Sequence, residues 1–261
     1  MSEEQKLKLV KVGIGLFGVI LVISILGLYR NSFVSTEAHT QAVPAMTGEE
    51  IEVLLEEYRM DQTIDGEVEE AIHLIDFQSL QEINEDVYAW ISIPGTNIEY
   101  PVLQHDYDDS YYLNYNIDGT YGYPGCIYTE SVNNKDFQDN NTVLYGHNMK
   151  DGTMFAGLHD FQDGTFFEEN RFIYIDTPEK VLTYEIFAAY VYDDRHILYS
   201  FDFADEKVYA DYLEGIFERR SMSDNLNTSI EITSEDKVIT LTTCISNQPN
   251  NRYLVQGVLL D

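Results

Sequence analysis

Basic side chains are scarce in this 261-residue chain: 15 Lys and Arg stand against 46 Asp and Glu, a formal net charge of −31. The excess persists when residues 1–30 are set aside, because only Lys6, Lys8, Lys11 and Arg30 leave against Glu3 and Glu4. Such a surface repels phosphates, so nucleic acid is excluded as a partner. The charge reads first as a means of solubility, and the functional alternative is a field that draws cationic amines. Cysteine is scarcer still, with Cys126 and Cys244 alone. That count excludes a disulfide-stapled scaffold. It leaves either a single bridge or one reactive thiol beside one buried structural thiol. Neither an HExxH nor a paired CxxC is present, so a zinc centre has no support. Asn114 to Gly119 match the first half of a calcium loop, but its twelfth place is Gly125 rather than an acidic residue. Asp106, Asp108 and Asp109 read as a solvated loop. No metal or cofactor is expected.

Against that polar background one long apolar run stands out. Residues 12–29 carry no charge and are bounded by Lys11 and Arg30, a length suited to a transmembrane helix. Three lysines before the run and one arginine after it favour a cytoplasmic segment at 1–11. A cleaved signal peptide fits less well, since its apolar core is normally shorter and no small-x-small site follows Leu28. Residues 30–46 lack periodicity and read as a stalk. Thr47 with Glu50 forms a capping-box pattern ahead of a helix with Ile51, Leu54, Leu55 and Tyr58 on one face. A second helical stretch, at about 66–84, aligns Val68, Ile72, Ile75 and Leu80.

From Val87 the pattern becomes that of strands. VYAWISI and NIEYPVL flank the turn at Pro94–Gly95–Thr96, and GCIYT, NTVLYGH, RFIYI, VLTYEIFAAYVY, KVITLTT and RYLVQGVLL follow. Eight strands suit a small closed barrel. Between the sixth and seventh, Val208, Tyr212, Leu213, Ile216 and Phe217 share a helical face, which predicts an inserted helix. There is no internal repeat.

Three residues at strand ends carry candidate chemistry. Cys244 follows the apolar strand VITLTT and precedes a polar turn; Arg252 follows that turn and is expected to open the last strand. A fixed guanidinium beside a thiol favours the thiolate and stabilises an oxyanion. His147 ends another apolar strand. Singly, such a Cys serves as a small buried hydrophobe and such a His as a capping or exposed residue. Together, thiol, imidazole and guanidinium make a thiol acyl-transfer set.

The segments Thr240–Cys244, Tyr145–Met149 and the downstream Arg252 resemble the signatures of the sortases, class B in particular. Asn97–Val102, Tyr112–Asn116 and Gly152–Phe155 agree, so the resemblance runs from about residue 86 to the C-terminus. It implies a mainly β fold with helices: a closed eight-stranded barrel, N-terminal helices, and a helix inserted before the Cys-bearing strand. It also implies a catalytic domain at 47–261 and a transpeptidase that cuts a C-terminal sorting motif of secreted proteins after Thr. A thioacyl-enzyme then passes the product to an amine of a peptidoglycan precursor. By position, Cys244 is the nucleophile, His147 the general acid and base, and Arg252 the group that positions substrate and stabilises the oxyanion. Leu113, Thr242 and Thr243 match substrate-groove positions. Some relatives carry an acidic residue just after the Cys; Ile245 and Ser246 stand there here. Cys126 reads as buried packing. With the apolar run, the resemblance predicts a single-pass membrane protein whose catalytic domain lies outside the cell. A thiol endopeptidase using water as acceptor and a non-catalytic surface-binding module are the competing readings.

Overall fold

Alternating burial along Val87–Ile93 (β1) is the signature of a strand with one face on a core. β1 opens an ordered domain in a computed structural model that describes residues 75–260 apart from 222. The helix Phe77–Ile83 (α1) precedes it, with the Asp76 side chain accepting from the Ser79 amide as N-cap. The strands that follow are Ile98–Leu103 (β2), Ile127–Thr129 (β3), Asn141–Tyr145 (β4), Phe172–Asp176 (β5), Val181–Asp193 (β6), Asn225–Leu226 (β7), Val238–Ile245 (β8) and Gln248–Leu259 (β9). Short helices at Tyr111–Asn114 (α2), Gly164–Glu169 (α3) and Ile197–Ser200 (α4), a 3₁₀ helix at Phe155–Gln162, and the longer Glu206–Phe217 (α5) fill the connections.

The strands pair in the order β5-β1-β2-β3-β4-β8-β9-β6, and β6 pairs back to β5. The ring is therefore closed, as the strand count in the sequence predicts, with β2–β3 and β4–β8 parallel and the rest antiparallel. The two-residue β7 is an addition to β6 outside the ring. The barrel interior is a single apolar cluster that includes Ile91, Val102, Ile127, Leu144, Leu241 and Val255. α5 is the helix expected between the late strands. It packs Tyr209, Tyr212, Leu213 and Ile216 onto the outer face of the sheet against Phe187, Val238 and Leu254. Covered on both sides, β8 is buried continuously from Val238 to Thr243 rather than alternately, with Thr240, Thr242 and Thr243 among the buried residues. A third cluster sets Phe77 against Val87, Leu103, Tyr112, Cys126 and Tyr128, with Ile75 and Leu80 of the expected helical stretch packed on it.

The single-pass membrane location expected from the sequence is corrected by these elements. Among the described residues no helix is long and apolar enough to cross a membrane. Even α5 has 12 residues, where a span needs about 20. The run 12–29, the stalk at 30–46, the Thr47-capped helix and the first part of the 66–84 helix lie outside the described residues.

Candidate active site

Parallel pairing of β4 with β8 is the feature on which the site is built. Tyr145 pairs with Thr242, and the Gly146 amide donates to the Thr242 carbonyl at 3.2 Å. The Thr243 hydroxyl returns a bond to the Gly146 carbonyl at 2.7 Å. Continued by two residues, this register sets His147 at the level of Cys244. Gly146 must be glycine for such an approach, since a Cβ there would stand 2.5 Å from Ile127 Cδ1 and 2.7 Å from the Phe155 ring.

The third member arrives across an antiparallel pair. Cys244 is the register partner of Arg252, and directly opposed side chains of such a pair have Cβ atoms roughly 4.5–5.5 Å apart. The next pair is Ile245 with Gln248, so Pro249, Asn250 and Asn251 have no partner on β8 and bulge away from it, although Asn251 still pairs with Asp193 of β6. Arg252 therefore does not open the last strand, as the sequence suggests; it is the fifth residue of one that begins at Gln248. The bulge holds the guanidinium, with Arg252 Nη1 donating to the Pro249 carbonyl at 3.0 Å and the Asn251 carbonyl at 2.9 Å. Proline suits this place because a bulged residue owes no amide to the ladder.

His147 is half-buried, with its Nε2 2.7 Å from the Leu113 carbonyl and its ring against Tyr123 at 5.0 Å between centroids. A carbonyl only accepts, so Nε2 carries the proton and Nδ1 is the nitrogen left for proton exchange. Leu113 is 37% exposed, and its carbonyl meets the site at His147. Thr242 is buried on the outer face between Tyr145 and Cys244, and Thr243 is buried behind it as the tie to Gly146.

The two thiols occupy opposite environments. Cys244 is exposed and Cys126 buried, and both are free, so the single-bridge alternative is absent. Burial, with the Asp118 charge adding to it, pushes the Cys126 thiol up to about 12, and its Sγ lies 3.4 Å from the Tyr115 carbonyl. One thiol should therefore react rapidly with an aromatic disulfide reagent at pH 8 in the native chain, and a second only after unfolding. Two fast thiols, or none, would contradict this assignment.

Sequence reasoning missed several polar residues here. Asn148 Nδ2 donates to the Cys244 carbonyl at 2.9 Å, and His159 Nε2 lies 3.1 Å from the same oxygen. Asn148 directly follows the candidate base and could have been singled out; His159 carries no sequence signal at all. Along the outer face, Tyr145 stacks on Tyr128 and its hydroxyl lies 3.4 Å from His196 Nε2. His196 Nε2 in turn stands 2.8 Å from a carboxylate oxygen of the buried Glu130. Burial raises the Glu130 pKa, and His196 only partly opposes it. A raised folded-state value means that the folded chain keeps a proton the unfolded chain releases. The stabilisation is therefore full below the ordinary value of 4.5 and is lost as pH rises through the raised one. The melting temperature of the wild type should accordingly fall relative to that of Glu130→Gln as pH climbs from 4.5 towards neutrality. Parallel melting curves over that range would remove Glu130 from the pH dependence.

Among the described residues no cluster of His, Cys, Asp and Glu could hold a metal ion.

Comparison with known proteins agrees with this fold. The family model described as the sortase domain matches residues 91–260. Sortase B of Listeria monocytogenes is 31% identical over 199 residues, which cover 76% of this chain and 77% of that protein. Among solved structures, Clostridium perfringens sortase B has a TM-score of 0.64 at 32% identity, covering 71% of this chain and 100% of that one. A Staphylococcus aureus sortase B–substrate complex has a TM-score of 0.63 at 28% identity, covering 80% of this chain and 94% of that one. With the closed mixed barrel, the strand-end thiol and these relatives in agreement, the chain belongs to the sortase family and is a class B sortase-type cysteine transpeptidase.

Proposed function

We infer that Cys244 is the nucleophile, His147 the general acid and base, and Arg252 the group that holds the substrate carbonyl and its oxyanion. The observation that carries this reading is the convergence of two pairings on one thiol: Cys244 opposite Arg252 across β8–β9, and the β4–β8 register that brings His147 level with it. The substrate is a C-terminal sorting motif of a secreted protein, cut after Thr. The Cys244 sulfur attacks that Thr carbonyl carbon, a C–S bond forms, and the C–N bond breaks as His147 delivers a proton to the departing nitrogen. An amine of a cell-wall precursor then attacks the thioester. Its nitrogen forms the new amide, His147 takes the proton, and the thiolate leaves. The strongly acidic chain favours the approach of such a cationic amine. Leu113 and Thr242 line the path to the thiol, and Thr243 supports it from behind.

Mass spectrometry of the enzyme mixed with a panel of five-residue sorting peptides, with and without added hydroxylamine, tests the reading. The expected products are a thioester mass on the Cys244 peptide and a hydroxamate whose yield rises with the amine. Hydrolysis alone at every amine concentration would make the protein a thiol endopeptidase. Neither cleavage nor a thioester with any peptide would favour the surface-binding module.

A further inference from the structure

The carbonyl of Cys244 receives more attention than a strand-end carbonyl needs. It lies where β8 and β9 part company, one residue before the register jumps at the bulge. Two side chains from another part of the chain meet on it. Asn148 Nδ2 is 2.9 Å away and His159 Nε2 3.1 Å away, with 3.0 Å between the two nitrogens. The Gln162 side-chain amide donates to His159 Nδ1 at 2.9 Å, so the ring proton sits on Nε2, the nitrogen facing the carbonyl. The ring is braced by Tyr253, 5.2 Å away between centroids, and Tyr253 directly follows Arg252 on β9.

The element carrying these donors is itself tied down. The Phe155 amide donates to the His147 carbonyl at 2.9 Å, and Asn148 pairs with Met154 as a bridge, closing the loop between β4 and the 3₁₀ helix. The Met154 amide is held by the Tyr100 hydroxyl at 2.9 Å. One tied-down loop thus carries His147 at its start and Asn148 beside it, and leads directly into the 3₁₀ helix that bears His159.

The geometry points to Asn148 and His159 as positioning residues for the nucleophile: two donors on the Cys244 carbonyl that fix the peptide following the thiol and lock its distance to His147 and Arg252. The inference rests on the reading of Cys244 as nucleophile. A peptide plane left free at a bulge can rock, and misplacement by about 1 Å costs on the order of 10²-fold in rate. Neither side chain acts on the substrate. Both work through the backbone of Cys244, so their loss falls on kcat more than on KM.

The test compares His159→Phe, His159→Gln, Asn148→Ala and the double variant Asn148→Ala/His159→Phe. Phenylalanine keeps the ring beside Tyr253 and removes the donor; glutamine restores a donor. Either single loss leaves one donor on the carbonyl, so kcat should fall about tenfold or less, whereas the double variant should lose about 10²-fold, with KM changed less than about threefold. His159→Gln should recover most of the activity lost in His159→Phe. Melting curves of all four variants, with labelling of Cys244 by iodoacetamide, verify that each is folded and keeps a reachable thiol. Wild-type kcat in a folded double variant would overturn the inference, as would equal losses in the Phe and Gln variants, or a loss confined to KM. If the double variant does not fold, the Phe-to-Gln comparison decides alone. A Cys244→Ala control separates the two readings. Turnover in that control defeats the nucleophile assignment, while a dead control beside an unaffected double variant defeats only the positioning role.

Discussion

Replacement of Cys244 by Ala is expected to reduce peptide cleavage and amide formation by about 10⁴–10⁶-fold, the range found when a member of a nucleophile–base unit is removed. The only other thiol cannot stand in. Cys126 is buried in the cluster behind α1, its thiol is pushed up to about 12, and it shares no pairing with His147 or Arg252. Folding should be untouched, because Cys244 is exposed and its truncation leaves no cavity; a stability change within about 0.5 kcal/mol is typical of such positions. The checks are peptide turnover measured with a mass-labelled substrate and a thermal melt on the same preparation. Substantial turnover by a folded alanine variant would remove Cys244 from its role.

The second large effect is expected at Arg252. Lysine there keeps a positive charge but not the planar fork of donors. Nη1 is committed to the Pro249 and Asn251 carbonyls, while Nε and Nη2 make no hydrogen bond among the described residues. The bulge therefore grips one edge of the guanidinium and leaves the other to a substrate. A lysine ammonium bound by the same carbonyls would sit at one point with no second edge to present. Loss of one oxyanion donor typically costs about 10²–10³-fold, so Arg252→Lys should lower kcat/KM by at least about tenfold and up to that range. Labelling of Cys244 by iodoacetamide should persist, since a nearby positive charge still favours the thiolate. Turnover and labelling measured across pH on the same variant decide the matter. Turnover near wild type would reject a geometric role, and labelling lost in step with turnover would reduce Arg252 to thiolate stabilisation.

The barrel was legible in the sequence because its strands announce themselves locally. β-branched and aromatic runs such as VYAWISI, and the turn at Pro94–Gly95–Thr96, require no knowledge of partners. The α5 face was equally plain, from Tyr212, Leu213 and Ile216 at helical spacing. The ends of strands were less so. Arg252 was expected to begin β9, and the three-residue bulge before it was invisible, because Gln248–Asn251 is polar and contains a proline that argues for a loop. The catalytic candidates were found from motif and strand position. Their supporting residues were not, since His159 reaches Cys244 only through tertiary folding and Glu130 and His196 meet across 66 positions of sequence. No periodicity encodes such encounters.

Pairing of β4 with β8 also bears on when the enzyme becomes an enzyme. The bond from Thr243 to Gly146 spans 97 residues of chain, and closing so long a loop is slow because its entropy is spent before its contacts reward it. Cys244 and Arg252 lie on β8 and β9, while His147 follows β4, which is synthesised long before them. A chain built only as far as the loop after β4 thus holds the candidate base without the candidate nucleophile. On the proposed roles, acyl transfer starts only once the β8–β9 hairpin has joined β4, so activity reports that long-range pairing and a chain cut before β8 is inert rather than indiscriminate.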